Sequence, residues 1–114
     1  MSAITTHVLD TMAGVPAAGL SVVLEGKTHS AGWQLMGGGT TDDDGRVSDL
    51  MRADAILEPG HYRLTFETGA YFAINDVDCF FPQVTVSFVI RDIARHYHVP
   101  LLLSPFSYST YRGS

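Results

Sequence analysis

Apolar and polar side chains alternate along much of this chain, and a two-residue period commits a sequence to half-buried strands before any other property is weighed. Leu20, Val22 and Leu24 alternate with Ser21, Val23 and Glu25; Tyr62, Leu64 and Phe66 with His61, Arg63 and Glu67; Val84, Val86, Phe88 and Ile90 with Gln83, Thr85, Ser87 and Arg91. Further strands are expected over residues 4–10, 33–36, 46–50, 97–103 and 108–112. Turn signals separate them at Ala13-Gly14, Gly37-Gly38-Gly39, Asp44-Gly45 and Pro59-Gly60. Only residues 68–75 break the pattern, opening at Thr68 as a possible N-cap, so one short helix is expected there. About eight short strands and one helix make an all-β chain, either a two-sheet antiparallel sandwich or a small barrel; periodicity alone does not choose between them.

At 114 residues there is room for a single domain, 1–114, which must carry core and function together. Hydrophobic residues make up 46% of the chain, enough for a core with apolar surface left over for subunit contact. Twelve acidic against seven basic side chains give a net charge of −5 with no Lys/Arg cluster, which disfavours nucleic acid and anionic membranes as partners. A lone cysteine, Cys79, can form no internal disulfide. With no basic apolar leader, no C-terminal peroxisomal signal and no run of eighteen apolar residues, a cytoplasmic location is expected.

Imidazole is the side chain best suited to moving protons near neutral pH, so the histidines carry the first functional expectation. Alternation over 97–103 puts Tyr97, Val99, Leu101 and Leu103 on a core face and His98 on the other, along with His96, Pro100 and Leu102. His7, opposite Ile4, Thr6 and Val8, projects the same way if the two strands are neighbours. Taken one at a time, such histidines are also what a solvated or hydrogen-bonded surface position looks like. A zinc site on His7, His96 and His98 is a further reading, but no carboxylate or Cys sits at a supporting spacing. Gly37-Gly38-Gly39 lacks the Gly-Lys-Ser/Thr ending of a phosphate loop and reads as a loop tip. Asp42-Asp43-Asp44-Gly45 has Thr40 and Met51 where a calcium loop needs acids, so it reads as a turn delivering Arg46. That arginine is either a solvated residue or a clamp for a planar anionic or carbonyl-rich ligand. The polar ending, Tyr108 to Ser114, fits a solvated edge and the lining of a shared cavity equally well.

Several segments together resemble the transthyretin-like family in its 5-hydroxyisourate hydrolase branch. They are Thr5-Thr6-His7-Val8-Leu9-Asp10 followed by Gly14-Val15-Pro16-Ala17, the Asp44-Gly45-Arg46 turn, Phe81-Pro82-Gln83-Val84-Thr85-Val86, His96-Tyr97-His98-Val99-Pro100 running into Leu101-Leu102-Leu103-Ser104-Pro105, and Tyr111-Arg112-Gly113-Ser114. The last tetrapeptide is the element that separates that branch from hormone-carrying transthyretins. The resemblance implies a transthyretin fold of two four-stranded antiparallel sheets and a short helix, assembled as a homotetramer with active sites at the dimer–dimer interface. It also implies hydrolysis of 5-hydroxyisourate to 2-oxo-4-hydroxy-4-carboxy-5-ureidoimidazoline in urate degradation, without cofactor or metal. Carried over position by position, it implies catalytic roles for His7, Arg46, His98 and Ser114, with Tyr111 joining His7 and Arg46 in contact with the substrate; His96 is not a catalytic position. The rival from another class is a carrier of iodinated aromatic hormone, whose channel is expected to be apolar rather than lined by proton-transferring groups.

Overall fold

The computed structural model describes residues 3–28 and 32–114 and shows eight strands and one helix. In chain order they are β1 (Ile4–Asp10), β2 (Val15–Pro16), β3 (Ser21–Thr28), β4 (Gly32–Thr40), β5 (Gly60–Phe66), α1 (Thr68–Ala73), β6 (Val84–Ile90), β7 (Tyr97–Leu103) and β8 (Tyr108–Thr110). They form two four-stranded sheets, ordered β2-β1-β7-β8 and β4-β3-β5-β6. The sandwich is therefore the observed alternative, and its core is built by the alternation seen in the sequence. Ile4 and Val8 of β1 with Tyr97, Val99, Leu101 and Leu103 of β7 face Val22, Leu24, Tyr62, Leu64 and Phe66 of the other sheet, all buried in one cluster. Fully burying each such aliphatic or aromatic side chain contributes roughly 1.5–3 kcal/mol, so the two inner faces hold the sheets together.

Five of the six strand pairings are antiparallel, but β1 and β7 run parallel. The two four-stranded sheets implied by the resemblance are present, with one parallel pairing at the centre of one sheet. Strands close in sequence pair by hairpins, whereas β1 and β7 lie at opposite ends of the chain, and no local turn dictates their direction.

Three smaller expectations are corrected. Gly37-Gly38-Gly39 is no loop tip; it lies within β4, paired with Leu24, Val23 and Val22. Its glycines answer a close approach: a Cβ on Gly37 would stand 1.9 Å from the Leu50 carbonyl oxygen, and one on Gly39 2.8 Å from Val47. Residues 46–50 form no strand: the chain turns at Asp49 (φ 52°), pairs with the sheets through the isolated bridges His7 to Arg46 and Gly37 to Met51, and packs Val47 and Leu50 into the core. Thr68 is not the N-cap of α1; Glu67 holds that position without a side-chain cap, and the Thr68 hydroxyl donates to the Phe81 carbonyl. The helix is anchored instead by Tyr71, whose hydroxyl donates to Asp10 at 2.7 Å. The other Asp10 oxygen accepts the Met12 and Ala13 amides, so this buried carboxylate fixes the turn after β1 and the helix together. Burial, then the neighbouring carboxylate, pushes the Tyr71 phenol up to about 12.

Candidate active site

Four backbone segments lie side by side across the outer face of the β2-β1-β7-β8 sheet, and each supplies one of the expected site residues. Arg46 bridges His7 on one edge of β1; β1 pairs with β7 with Thr5 opposite His98 and His7 opposite Pro100; His98 in turn bridges Gly113, next to Ser114. His7 and His98 therefore point the same way, two residues apart diagonally on neighbouring strands, as alternation predicts once the strands are adjacent.

Each segment is held at its position by a local device. The Asp42 carboxylate accepts the amides of Asp44 and Arg46, closing the turn. Gly45 takes φ +76°, donates its amide to the Asp42 carbonyl and offers its own carbonyl to the Val8 amide at 2.8 Å. A Cβ there would lie 2.3 Å from the Val8 oxygen, so glycine is required twice over, by dihedral angle and by space. On the far side the Gly113 amide donates to the His98 carbonyl at 2.8 Å. A Cβ on Gly113 would stand 2.5 Å from Cδ2 of the His98 ring, so the chain end presses its bare backbone against the imidazole. Arg112 is fastened beside it, its guanidinium 4.7 Å from the centre of the Tyr97 ring.

Arg46, His98 and Ser114 line one cleft of about 450 Å³ together with Thr5, Thr6, Asp42, Val47, Ser48 and His96. His7 does not line it; its link to the group is the backbone bridge to Arg46 and its charge. Tyr111 does not line it either. It is exposed and lines a second depression of about 250 Å³, which shares His98. Two of the expected residues thus border the cleft rather than enclose it.

Half-buried, His98 is held below the ordinary histidine range, first by desolvation and then by the charges of Arg46, His7 and His96. It is neutral near pH 7, the form in which imidazole accepts a proton. The cleft accordingly combines a neutral base, a fixed guanidinium and a hydroxyl at Ser114, which is the equipment for adding water to a polarised carbonyl. Among the described residues, no group of three or more His, Cys, Asp or Glu side chains is disposed to hold a metal ion. Instead of converging, His96 and His98 are joined through Thr5, whose hydroxyl lies 2.9 Å from Nε2 of His96 and 2.8 Å from Nδ1 of His98. Sequence reasoning missed Thr5. It shares the outward face with His7, but its partnership with His98 depends on a register between strands that no local signal encodes.

The HIUase/Transthyretin family profile matches residues 4–113. A protein of Salmonella dublin named 5-hydroxyisourate hydrolase is 49% identical over 111 residues, covering 97% of this chain and 80% of the relative. The solved structure of Klebsiella pneumoniae 5-hydroxyisourate hydrolase superposes with a TM-score of 0.81 at 36% identity, covering 97% of this chain and 98% of that one. Sea bream transthyretin in complex with thyroxine superposes with a TM-score of 0.90 at 32% identity, covering 98% and 95%. Backbone shape therefore does not separate hydrolase from carrier, and the distinction falls to the side chains of the site.

Proposed function

Because the chain belongs to the HIUase/Transthyretin family, we propose that it is a hydrolase of urate degradation that opens the ring of 5-hydroxyisourate to 2-oxo-4-hydroxy-4-carboxy-5-ureidoimidazoline. The observation that carries this reading is the meeting of Arg46, neutral His98 and Ser114 in one polar cleft, with His7 beside Arg46. An apolar hormone channel needs none of these groups.

Ring opening requires a base to take a proton from water as its oxygen bonds to the carbonyl carbon. The carbonyl oxygen then becomes an oxyanion, and its collapse breaks the C–N bond as the departing nitrogen takes up a proton. In this proposal His98 is the base, with His7 coupled to it through charge, and can return the proton to the departing nitrogen. Arg46 offsets the oxyanion and orients the planar heterocycle. The Ser114 hydroxyl hydrogen-bonds substrate or attacking water, and Tyr111 contacts substrate from the adjoining depression. We further propose a homotetramer acting in the cytoplasm. The outer edges of β6 and β8, with exposed Phe80, Phe106, Tyr108 and Tyr111 close by in sequence, support assembly. The free thiol of Cys79 fits reducing surroundings.

The test follows the ultraviolet absorbance of freshly generated 5-hydroxyisourate. Its decay is expected to accelerate in proportion to protein added; decay at the spontaneous rate, with tight binding of an iodinated aromatic ligand, overturns the hydrolase in favour of the carrier. Light scattering is expected to report four subunits, and a fully active monomer removes the tetramer.

A further inference from the structure

We propose that Thr5 and His96 are positioning residues that fix the tautomer of His98, holding its proton on Nδ1 so that Nε2 is left free to accept a proton in the cleft. The inference deepens the hydrolase reading and rests on it for the role of His98.

Thr5 Oγ1 lies within hydrogen-bond distance of two imidazole nitrogens, Nδ1 of His98 and Nε2 of His96. A hydroxyl has one proton, so it can donate to only one of these rings and must accept from the other. If it donates to His98 Nδ1, neutral His98 carries its proton on Nε2 and has no lone pair to offer the cleft. If it accepts from His98 Nδ1–H, it donates to His96 Nε2, and His98 Nε2 is a base. Which nitrogen of an imidazole is protonated is set by the hydrogen bond that the other one makes.

Geometry leaves Nε2 as the working nitrogen. The Nδ1 edge of the ring faces Thr5 on β1, and the opposite edge, at Cδ2, lies against the Gly113 backbone. With Nδ1 taken by Thr5, Nε2 is the nitrogen of this cleft-lining ring for which the described residues offer no hydrogen-bond partner. The charged and titratable groups around it are His7, Arg46, His96 and, on the cleft wall, Asp42. None of these is bonded to Nδ1, which leaves Thr5 as the only hydrogen-bond partner recorded for that nitrogen among the described residues. His96, exposed at the edge of the cleft, supplies the acceptor that points the Thr5 proton away from His98.

The experiment pairs imidazole nitrogen NMR with kinetics. Long-range proton–nitrogen spectra of the labelled protein near neutral pH are expected to show His98 as the Nδ1–H tautomer, and Thr5→Val to move it toward Nε2–H. Valine keeps the shape and strand preference of threonine, so the fold is preserved. In the same variant kcat is expected to fall about tenfold or more with KM nearly unchanged. Thr5→Ser, which restores the hydroxyl, recovers both readouts, and His96→Phe shifts the tautomer as Thr5→Val does. A wild-type His98 protonated on Nε2, or a Thr5→Val protein with unaltered tautomer or unaltered kcat, overturns the proposal. If the wild-type protein consumes no 5-hydroxyisourate, the hydrolase reading fails, and the spectra still judge the tautomer by themselves.

Discussion

Arg63 and Arg46 stand on the outer faces of opposite sheets and are used differently. Arg63 projects from β5, binds Glu25 of β3 at 2.8 Å and lies 4.1 Å from the centre of the Trp33 ring, so its charge and its flat face are both occupied. Arg46 forms no ion pair among the described residues; it shares its cleft with His96, His98 and Asp42, and after burial it is the largest influence holding His98 below the ordinary histidine range. A cation with a partner in the fold contributes modestly to stability, whereas a cation held by its backbone and left unpaired is available to a ligand.

The contrast between the two faces disappears if the site face proves dispensable. Replacing His98 by Asn, His7 by Asn or Arg46 by Ala is expected to slow turnover about 10²-fold or more with little change in melting temperature; a folded His98→Asn protein with near-normal turnover removes His98 from the chemistry. Deleting residues 111–114 is expected to cost a similar factor while the sheets remain, because that segment reaches His98 and the cleft yet adds little to the core. Full activity after the deletion would return the segment to the status of an exposed tail.

Gly113→Ala disturbs the site on a finer scale. A methyl group 2.5 Å from Cδ2 must displace the His98 ring, and a loss of about tenfold in kcat is expected for a misplaced base. An unchanged rate would mean that the ring has room to spare. Smaller still is the effect of pH. A histidine whose ionisation is lowered on folding binds fewer protons than in the unfolded chain, so its contribution to stability is complete above the ordinary value of 6.5 and is lost as pH falls below it. The acid limb of kcat/KM should therefore lie below that value, and Arg46→Met, which removes a repelling charge, should move it upward; a limb that stays in place shows that Arg46 does not act on His98. The smallest expected effect belongs to the other face. Arg63→Ala should leave turnover unchanged and lower stability by about 1 kcal/mol or less in denaturant unfolding, and a large loss of activity would erase the contrast between the two arginines.

Alternation was a sufficient guide wherever a strand is buried on one side. It located β1, β7 and the core halves of β3, β5 and β6, and it put His7 and His98 on outward faces, because each inward side chain must meet the opposite sheet. It failed where the backbone itself makes the contact. Gly37 and Gly39 read as a loop because what crowds them, Leu50 and Val47, packs there only once the fold is formed, and residues 46–50 read as a strand because Val47 and Leu50 are buried without any partner strand. The Asp44-Gly45 turn points to Arg46 but leaves it either solvated or a clamp, and the roles of Arg46 and Ser114 come from family resemblance, since both sit on irregular segments. Thr5 was passed over for the most physical reason of all: a hydroxyl among alternating residues has no meaning until the strand beside it is known.

The parallel pairing of β1 with β7 also governs when the site can exist during synthesis. Thr5 and His98 are 93 residues apart, whereas β3, β5 and β6 make antiparallel contacts over much shorter spans. A ribosome adds about 5–20 residues per second, so β1 waits several seconds, with Ile4 and Val8 lacking their β7 neighbours, until β7 is made. The β3-β5-β6 pairings span shorter separations and can close sooner, because closing a shorter stretch of chain costs less entropy. A ribosome-stalled chain ending before residue 97 lacks β7 and is expected to have no activity.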